Sequence, residues 1–236
     1  MVVLGLLGCF YKRMPRAEGT IGSIAVLPLE IKSNDPDAEY ISDGITESVN
    51  NSLARLAGLK VVPHSIAMRY KGRSTELQKV GSELGVETLL VGHVLQQGDD
   101  LTVAVELDDV VNGKQLWGDR HNRKVSDLLA IQSDIAREVS QRLRGNVSAS
   151  DRQQLAKGST ENSEAYQLYL KGKYHTSKFT KDEFRKGIEY FSQALEKDPK
   201  YGLAYSGLAY YYILRDDWYL SPQSPLPRLR LPRRKR

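Results

Sequence analysis

Hydrophobic and polar positions along residues 23–143 follow strand-like and helix-like periods in turn. The run Ser23–Leu29 is short and almost wholly apolar, which predicts a strand covered on both faces. The segment Leu101–Val110 instead alternates apolar and polar residues, as a strand does when one face is wet. The residues predicted to face inward there are Leu101, Val103, Val105 and Leu107.

Two longer segments carry one apolar stripe each and are predicted to be helices. In Glu39–Leu56 apolar residues recur at spacings of four, four, four and three, and in Ser126–Leu143 the serine is a suitable N-cap. Asn112-Gly113 predicts a hairpin with a type I′ turn. The other predicted elements are the strands Leu59–Pro63, Glu87–Val94 and Lys114–Arg120 and the helix Thr75–Leu84.

The predicted order of elements in residues 21–145 is therefore β-α-β-α-β-β-β-α, an α/β domain with helices packed on a mixed β-sheet. Residues 146–163 are polar and predict a linker, and residues 164–220 are helical in pattern and rich in tyrosine. Residues 221–236 are rich in proline and arginine, which predicts a disordered tail.

The net charge of +5 arises in that tail. Residues 221–236 hold six basic residues and no acidic one, so the other 220 residues carry a net charge of −1. A nucleic-acid-binding domain normally shows a basic patch on its folded surface. The charge pattern therefore does not favour a nucleic-acid partner.

The amino terminus allows two interpretations. Residues 2–11 are apolar and are followed by Lys12 and Arg13, and ten residues of helix span about half the hydrocarbon core of a bilayer. The segment is either the end of a longer transmembrane helix, which we favour, or a lipoprotein-like leader with Cys9 as the site of lipid attachment. Residues 1–20 are accordingly treated as a truncated membrane segment and linker.

The sequence offers no pattern typical of catalysis, and it predicts no catalytic residue, metal site or cofactor. The acidic run at 34–47 fails the EF-hand pattern, because Tyr40 and Thr46 stand where glycine and glutamate are needed. Asp119-Arg120-His121 has no serine or cysteine nucleophile in a suitable context. We therefore predict that the protein is not an enzyme.

The first domain resembles the TolB amino-terminal-like (FlgO-like) family over residues 23–145. The matching segments, in order, are SIAVLPLE (23–30), EYISDGITESVNNSLARLAGLKVVPHS (39–65), KGR (71–73), ELGVETLLVGHV (83–94) and GKQLWGDRHNRKVSDLLAIQSDIAREV (113–139). No single segment is a catalytic signature, and the resemblance rests on their succession.

Residues 164–220 resemble about one and a half tetratricopeptide (TPR) repeats, which implies an all-α helical hairpin segment. Small and large residues stand where the 34-residue TPR unit packs its helices. They are Leu168, Gly172, Gly187, Phe191, Ala194, Pro199, Tyr205, Leu208, Ala209 and Tyr212. The second repeat does not close, because prolines replace its second helix, so we expect the chain to be a fragment of a longer protein.

The two resemblances together imply a non-catalytic binding or sensor module of a membrane-anchored bacterial regulator, of the kind that carries an adenylate cyclase, kinase or CadC-like output domain. A protein or peptide partner is expected to contact the first helix of each repeat, at Tyr166, Tyr169, Lys173, Ser206 and Tyr210. The main domains are expected on the extracytoplasmic side of the membrane, or free of it if the apolar segment has no function. The alternative is an envelope structural or assembly lipoprotein, anchored through Cys9.

Overall fold

The computed structural model describes residues 21–33, 38–73, 76–145, 148, 151 and 160–214, with the backbone alone for 211–214. The strands are β1 (Ser23–Val26), β2 (Glu30–Ile31), β3 (Lys60–Val61), β4 (Thr88–Gln97), β5 (Asp100–Asp109) and β6 (Lys114–Lys124). The helices are α1 (Glu39–Ala54), α2 (His64–Ala67), α3 (Leu77–Leu84), α4 (Leu128–Arg144), α5 (Ser163–Ser177), α6 (Lys181–Lys197) and α7 (Gly202–Leu214). Two short 3₁₀ turns cover Met68–Tyr70 and Val125–Asp127.

The sheet is mixed, with the strand order β3-β1-β4-β5-β6. Strands β1 and β3 run parallel to each other, and β1 and β2 both pair with β4 in parallel. Strands β4, β5 and β6 form an antiparallel meander. The predicted α/β class with a mixed sheet is therefore confirmed, whereas the predicted order lacked the two-residue strand β2 and the short helix α2.

Helices cover both faces of the sheet. Ile24 and Val26 of β1 enter a core with α1 and α4, whereas Ala25 and Leu27 enter a smaller core with α2 and α3. This two-sided burial is the arrangement that an unbroken apolar run predicts. The predicted apolar stripe of α1 and the predicted inward positions of β5 are confirmed as buried.

Two local predictions were wrong. Helix α4 begins at Leu128 rather than Ser126, after a 3₁₀ turn, and its N-cap residue Asp127 makes no side-chain capping bond. The β5–β6 hairpin exists, but Gly113 has a positive φ while Asn112 does not, so the turn is not type I′. The Asp109 carboxylate instead closes a four-residue loop by accepting hydrogen bonds from the backbone N–H groups of Val111 and Asn112.

Helices α5 and α6 pack antiparallel at close range. The order of contacts shows the direction, since Thr176 meets Gly187 while the earlier residue Gly172 meets the later residue Phe191. A Cβ built on Gly187 would lie 2.9 Å from the Gly172 carbonyl oxygen, so the two backbones can approach this closely only because position 187 has no side chain. Phe191 fills the remaining space between Gly172 and Gly207 of α7.

Candidate functional site

Helix α5 is docked on helix α1 of the α/β domain at Gly44. A Cβ built on Gly44 would lie 2.4 Å from Cδ1 and 3.1 Å from Cγ of Leu170, whose side chain is buried. Leu170, Tyr166 and the core of α6 belong to the same apolar cluster as α1 and α4. The helices therefore extend the main core of the domain instead of forming a separate one.

Polar contacts surround this apolar contact. Lys173 forms an ion pair with Glu47 of α1, and the Tyr174 hydroxyl donates to Glu39 Oε2 at 3.2 Å. Nearer the start of α5, the Gln167 side-chain amide donates to the Val125 carbonyl at 3.1 Å. Because these bonds are directional, they fix the register of α5 on the domain. The apolar area that α5 buries stabilises the same contact.

The Glu39 carboxylate also receives the Lys71 ammonium at 2.6 Å. The hydrogen bond from Lys71 lowers the pKa of Glu39, and the bond from Tyr174 acts in the same direction. Glu39 therefore stays ionised at neutral pH and links the α/β domain to α5 as a charged acceptor.

A cleft of about 450 Å³ lies between α1, α4 and α5, and we call it the junction cleft. Its lining includes Glu47, Asn51, Arg55, Gln132, Tyr166 and Tyr169. Gln132 is buried, and its Nε2 has no hydrogen-bond partner among the described residues. Since an unpaired buried amide is costly, this donor is available to a ligand group that enters the cleft.

Tyr166 and Tyr169, two of the predicted partner-binding residues, lie on the walls of the cleft. Tyr166 is 5% exposed, and burial raises its pKa to about 12. Burial also raises the pKa of Tyr169, whose ring lies 5.2 Å from Tyr201 and 5.8 Å from Phe191. Most of the Tyr166 surface and much of that of Tyr169 thus contact the chain's own helices.

The other predicted contact residues lie elsewhere. Lys173 is outside the junction cleft and faces Glu47. Ser206 and Tyr210 are exposed on α7, and at helical spacing they share one face with the exposed Leu203, which also lines the cleft. We call Leu203, Ser206 and Tyr210 the α7 stripe. The sequence prediction missed Leu203, although its position three residues before Ser206 is a signal that could have found it.

Cys9 and the apolar segment at residues 2–11 lie outside the described residues. Within the described ranges, none of the helices combines the length and the apolar character needed to cross a bilayer.

The first turn of helix α6 carries a carboxylate with three basic neighbours. Glu183 lies 2.9 Å from Lys186 Nζ, 2.7 Å from His175 Nδ1 and 3.2 Å from Lys178 Nζ. The hydrogen bond from Lys186, followed by those from His175 and Lys178, lowers the pKa of Glu183 from 4.5 to about 2. The cluster thus favours the ionised carboxylate in the folded state.

This shift predicts a pH dependence of stability. Because the folded pKa lies below the unfolded one, the stabilisation is present above pH 4.5 and is lost as pH falls toward 2. We expect the urea midpoint of the chain to fall over this range, and Glu183→Gln to reduce the fall. An unchanged pH profile in Glu183→Gln would contradict the assignment, and Glu189→Gln, an exposed position on the same helix, is the matched control.

The chain is similar to solved structures of low sequence identity. For TolB from Acinetobacter baumannii the identity is 17% and the TM-score 0.42, over 55% of this chain and 30% of that chain. For lipoprotein GNA1162 from Neisseria meningitidis the identity is 23% and the TM-score 0.37, over 52% of this chain and 99% of that chain. For the LpoB C-terminal domain from Escherichia coli the identity is 14% and the TM-score 0.36, over 47% of this chain and 87% of that chain. At these values the likeness carries no functional conclusion.

Sequence comparison gives the firmer relationships. Over 187 residues, 79% of this chain, the chain is 29% identical to a protein of Rhizobium meliloti (strain 1021) with the provisional name adenylate cyclase 3. The chain spans 32% of the length of that relative. Residues 20–138, about half of the chain, match the model of the HilA/YgeH-like transcriptional regulator, second domain. The chain therefore belongs to the HilA/YgeH-like transcriptional regulator family, and it carries that family's second domain.

Proposed function

We propose that the chain is a non-catalytic binding and sensing module of a membrane-anchored bacterial signalling protein, and that a protein or peptide partner binds at the junction cleft and the α7 stripe. Membership of a regulator family supports the regulatory role. The Rhizobium meliloti relative that carries the adenylate cyclase name supports the regulatory role further. This chain matches only 32% of the length of that relative, so the rest of that protein is long enough for a separate output domain.

The observation that carries the proposal is the continuity of the cleft with an exposed helix face. Leu203 lines the cleft and also begins the α7 stripe, on which Tyr210 is 50% exposed. Amides, tyrosine rings, Glu47 and Arg55 offer donors, acceptors and apolar area side by side. Such a mixture suits a peptide, and exposed tyrosine is typical of binding hot spots.

We also propose that α5–α7 are tetratricopeptide-type helices. The support is the way in which Gly172 and Gly187 bring α5 and α6 together while Phe191 fills the space between them. These are the packing roles that small and large residues take in such repeats. In this proposal α5, the first helix of the segment, contributes Tyr169 to the cleft, and α7 contributes Ser206 and Tyr210 to the exposed stripe beside it.

Site-specific photocrosslinking in the native host tests the proposal. A photoreactive amino acid is placed at position 206 or 210, with position 189 on the exposed side of α6 as the matched control. We expect the same discrete crosslinked product from positions 206 and 210 and none from position 189. Absence of a product at both stripe positions, or an equal product at position 189, would contradict a partner site on α7.

In the same proposal, the apolar residues 2–11 anchor the protein and the described domains lie outside the cytoplasm. The alternative is an envelope lipoprotein, favoured by the order Leu6-Leu7-Gly8-Cys9. Fractionation of a Cys9→Ala variant distinguishes the two. Retention at the membrane is expected if the apolar segment itself is the anchor, and release is expected if a lipid on Cys9 is.

A further inference from the structure

Three potential metal ligands meet where α4 crosses strand β6. Asp119 and His121 are two residues apart on β6, so their side chains leave the same face of the sheet. Glu138 of α4 reaches the same point, and one ligand atom from each of the three lies within 4.8 Å of the others. None of the three lines the junction cleft.

The imidazole of His121 supplies an independent sign that a ligand belongs there. His121 is 7% exposed, and its Nε2 has no hydrogen-bond partner among the described residues. The same nitrogen points at Asp119 Oδ2 from 3.5 Å, which is too far for a good hydrogen bond. A buried nitrogen without a partner is costly, and a cation between the three groups would remove the cost.

The two carboxylates give the second reason. An oxygen of Asp119 and an oxygen of Glu138 lie within 4.8 Å of each other, so two negative charges face the same point. The guanidinium of Arg137 lies 4.0 Å from the Glu138 carboxylate but is held more closely by Asp134, at 2.7 Å. The repulsion between Asp119 and Glu138 is thus only partly offset by the chain itself.

We propose that Asp119, His121 and Glu138 bind a divalent transition-metal ion, for which Zn²⁺ is the best match. One imidazole and two carboxylates form a mixed nitrogen and oxygen set that Zn²⁺ accepts at about 2.0–2.2 Å from each atom. A central ion at that distance puts its ligand atoms about 3–4 Å apart, so a small rotation of the side chains closes the site. Three protein ligands leave one position for water or a partner's side chain.

The site differs in kind from the cation sites that a sequence pattern can reveal. Two ligands come from an edge strand and the third from a helix that crosses it, so no short spacing marks them. Asp119 is 43% exposed, which opens the site to ions from solution. The neighbouring Arg137 weakens the attraction for a cation, and we therefore expect moderate affinity.

Calorimetric titration of the metal-free full chain with Zn²⁺ tests the proposal. We expect one ion per chain, and Co²⁺ at the same site should give visible d–d absorption. Glu138→Gln and Asp119→Asn keep the shape of each side chain and should weaken binding at least about tenfold. His93→Ala, which removes a partly buried histidine of β4, is the control and should leave the affinity unchanged.

Two results would overturn the proposal. One is the absence of heat and of a Co²⁺ spectrum in a chain that is folded by circular dichroism. The other is binding that survives both carboxylate substitutions or is lost in His93→Ala, since the ion would then sit elsewhere. Because the carboxylates of Asp119 and Glu138 are partly exposed, their amide variants are expected to fold.

Discussion

Replacing Gly44 with leucine is expected to release helix α5 from the α/β domain. A side chain at position 44 has to enter the space that Leu170 fills, since even a Cβ would lie 2.4 Å from its Cδ1. Overpacking of this kind costs about 1–3 kcal/mol. Leucine is the better helix former by about 0.8 kcal/mol, so α1 itself should not suffer.

Hydrogen exchange measures this outcome directly. The amides of α5 should lose protection in Gly44→Leu, while those of the central strands β4 and β5 keep theirs. Ala54→Leu is the matched control, because it adds the same side chain to an exposed position at the end of the same helix. Unchanged protection of α5 in Gly44→Leu would show that the contact with Leu170 does not hold the helices in place.

Replacing Phe191 with alanine is expected to destabilise the helical segment by about 3–5 kcal/mol. Phe191 is 2% exposed and fills the space between Gly172 and Gly207, against the ring of Tyr169. Glycines cannot collapse onto the vacated volume with side chains of their own, so the cavity should remain largely open. Urea unfolding followed by tyrosine fluorescence measures the loss.

Phe179→Ala is the control for this prediction, because it removes the same ring from a residue that is 56% exposed in the α5–α6 turn. The Phe179 ring packs edge-on against Phe184 and is mostly exposed, so its loss should cost less than about 1 kcal/mol. Equal losses in the two variants would mean that Phe191 does not occupy the centre of the helical core.

Much of the α/β domain was predictable because its burial follows short-range periodicity. The run Ser23–Leu29 predicted a strand with two covered faces, and its alternate residues do enter two different cores. The stripe of α1 and the inward face of β5 were likewise predicted residue by residue. Burial in these elements depends on neighbours at fixed spacings, which a single sequence displays.

What the sequence did not reveal depends on contacts between distant segments. Strand β2 is two residues long and exists only because β4 offers it backbone partners. The α4 start and the β5–β6 turn were missed for a different, local reason. A 3₁₀ turn and a carboxylate that caps the loop compete there with the predicted cap and turn, and residue propensities do not rank these alternatives.

The candidate site shows the same limit more sharply. The spacing of Tyr166, Tyr169 and Lys173 predicted one helix face, but spacing does not tell whether that face meets a partner or the chain itself. The structure pairs Lys173 with Glu47, 126 residues away, and buries Tyr166 against the domain. The metal ligands proposed at β6 and α4 are likewise separate in sequence and become neighbours only through the packing of a helix on a strand.

The α/β domain and the helices form one docked unit, with the proposed binding surface at their junction. Disulfide formation between Gly44→Cys and Leu170→Cys, in a Cys9→Ser background, tests it most directly. In Leu170→Cys the sulfur takes about the place of the leucine Cγ, which lies 3.1 Å from the Cβ position at residue 44. This separation between one Cβ and the sulfur of the other cysteine suits a disulfide-bonded pair.

The control pair is Ala54→Cys with Leu170→Cys, since position 54 lies about 15 Å farther along the same helix. The docked arrangement predicts rapid and nearly complete oxidation of the 44–170 pair, and little oxidation of the 54–170 pair. Failure of the 44–170 pair to oxidise faster than its control would contradict the docked unit.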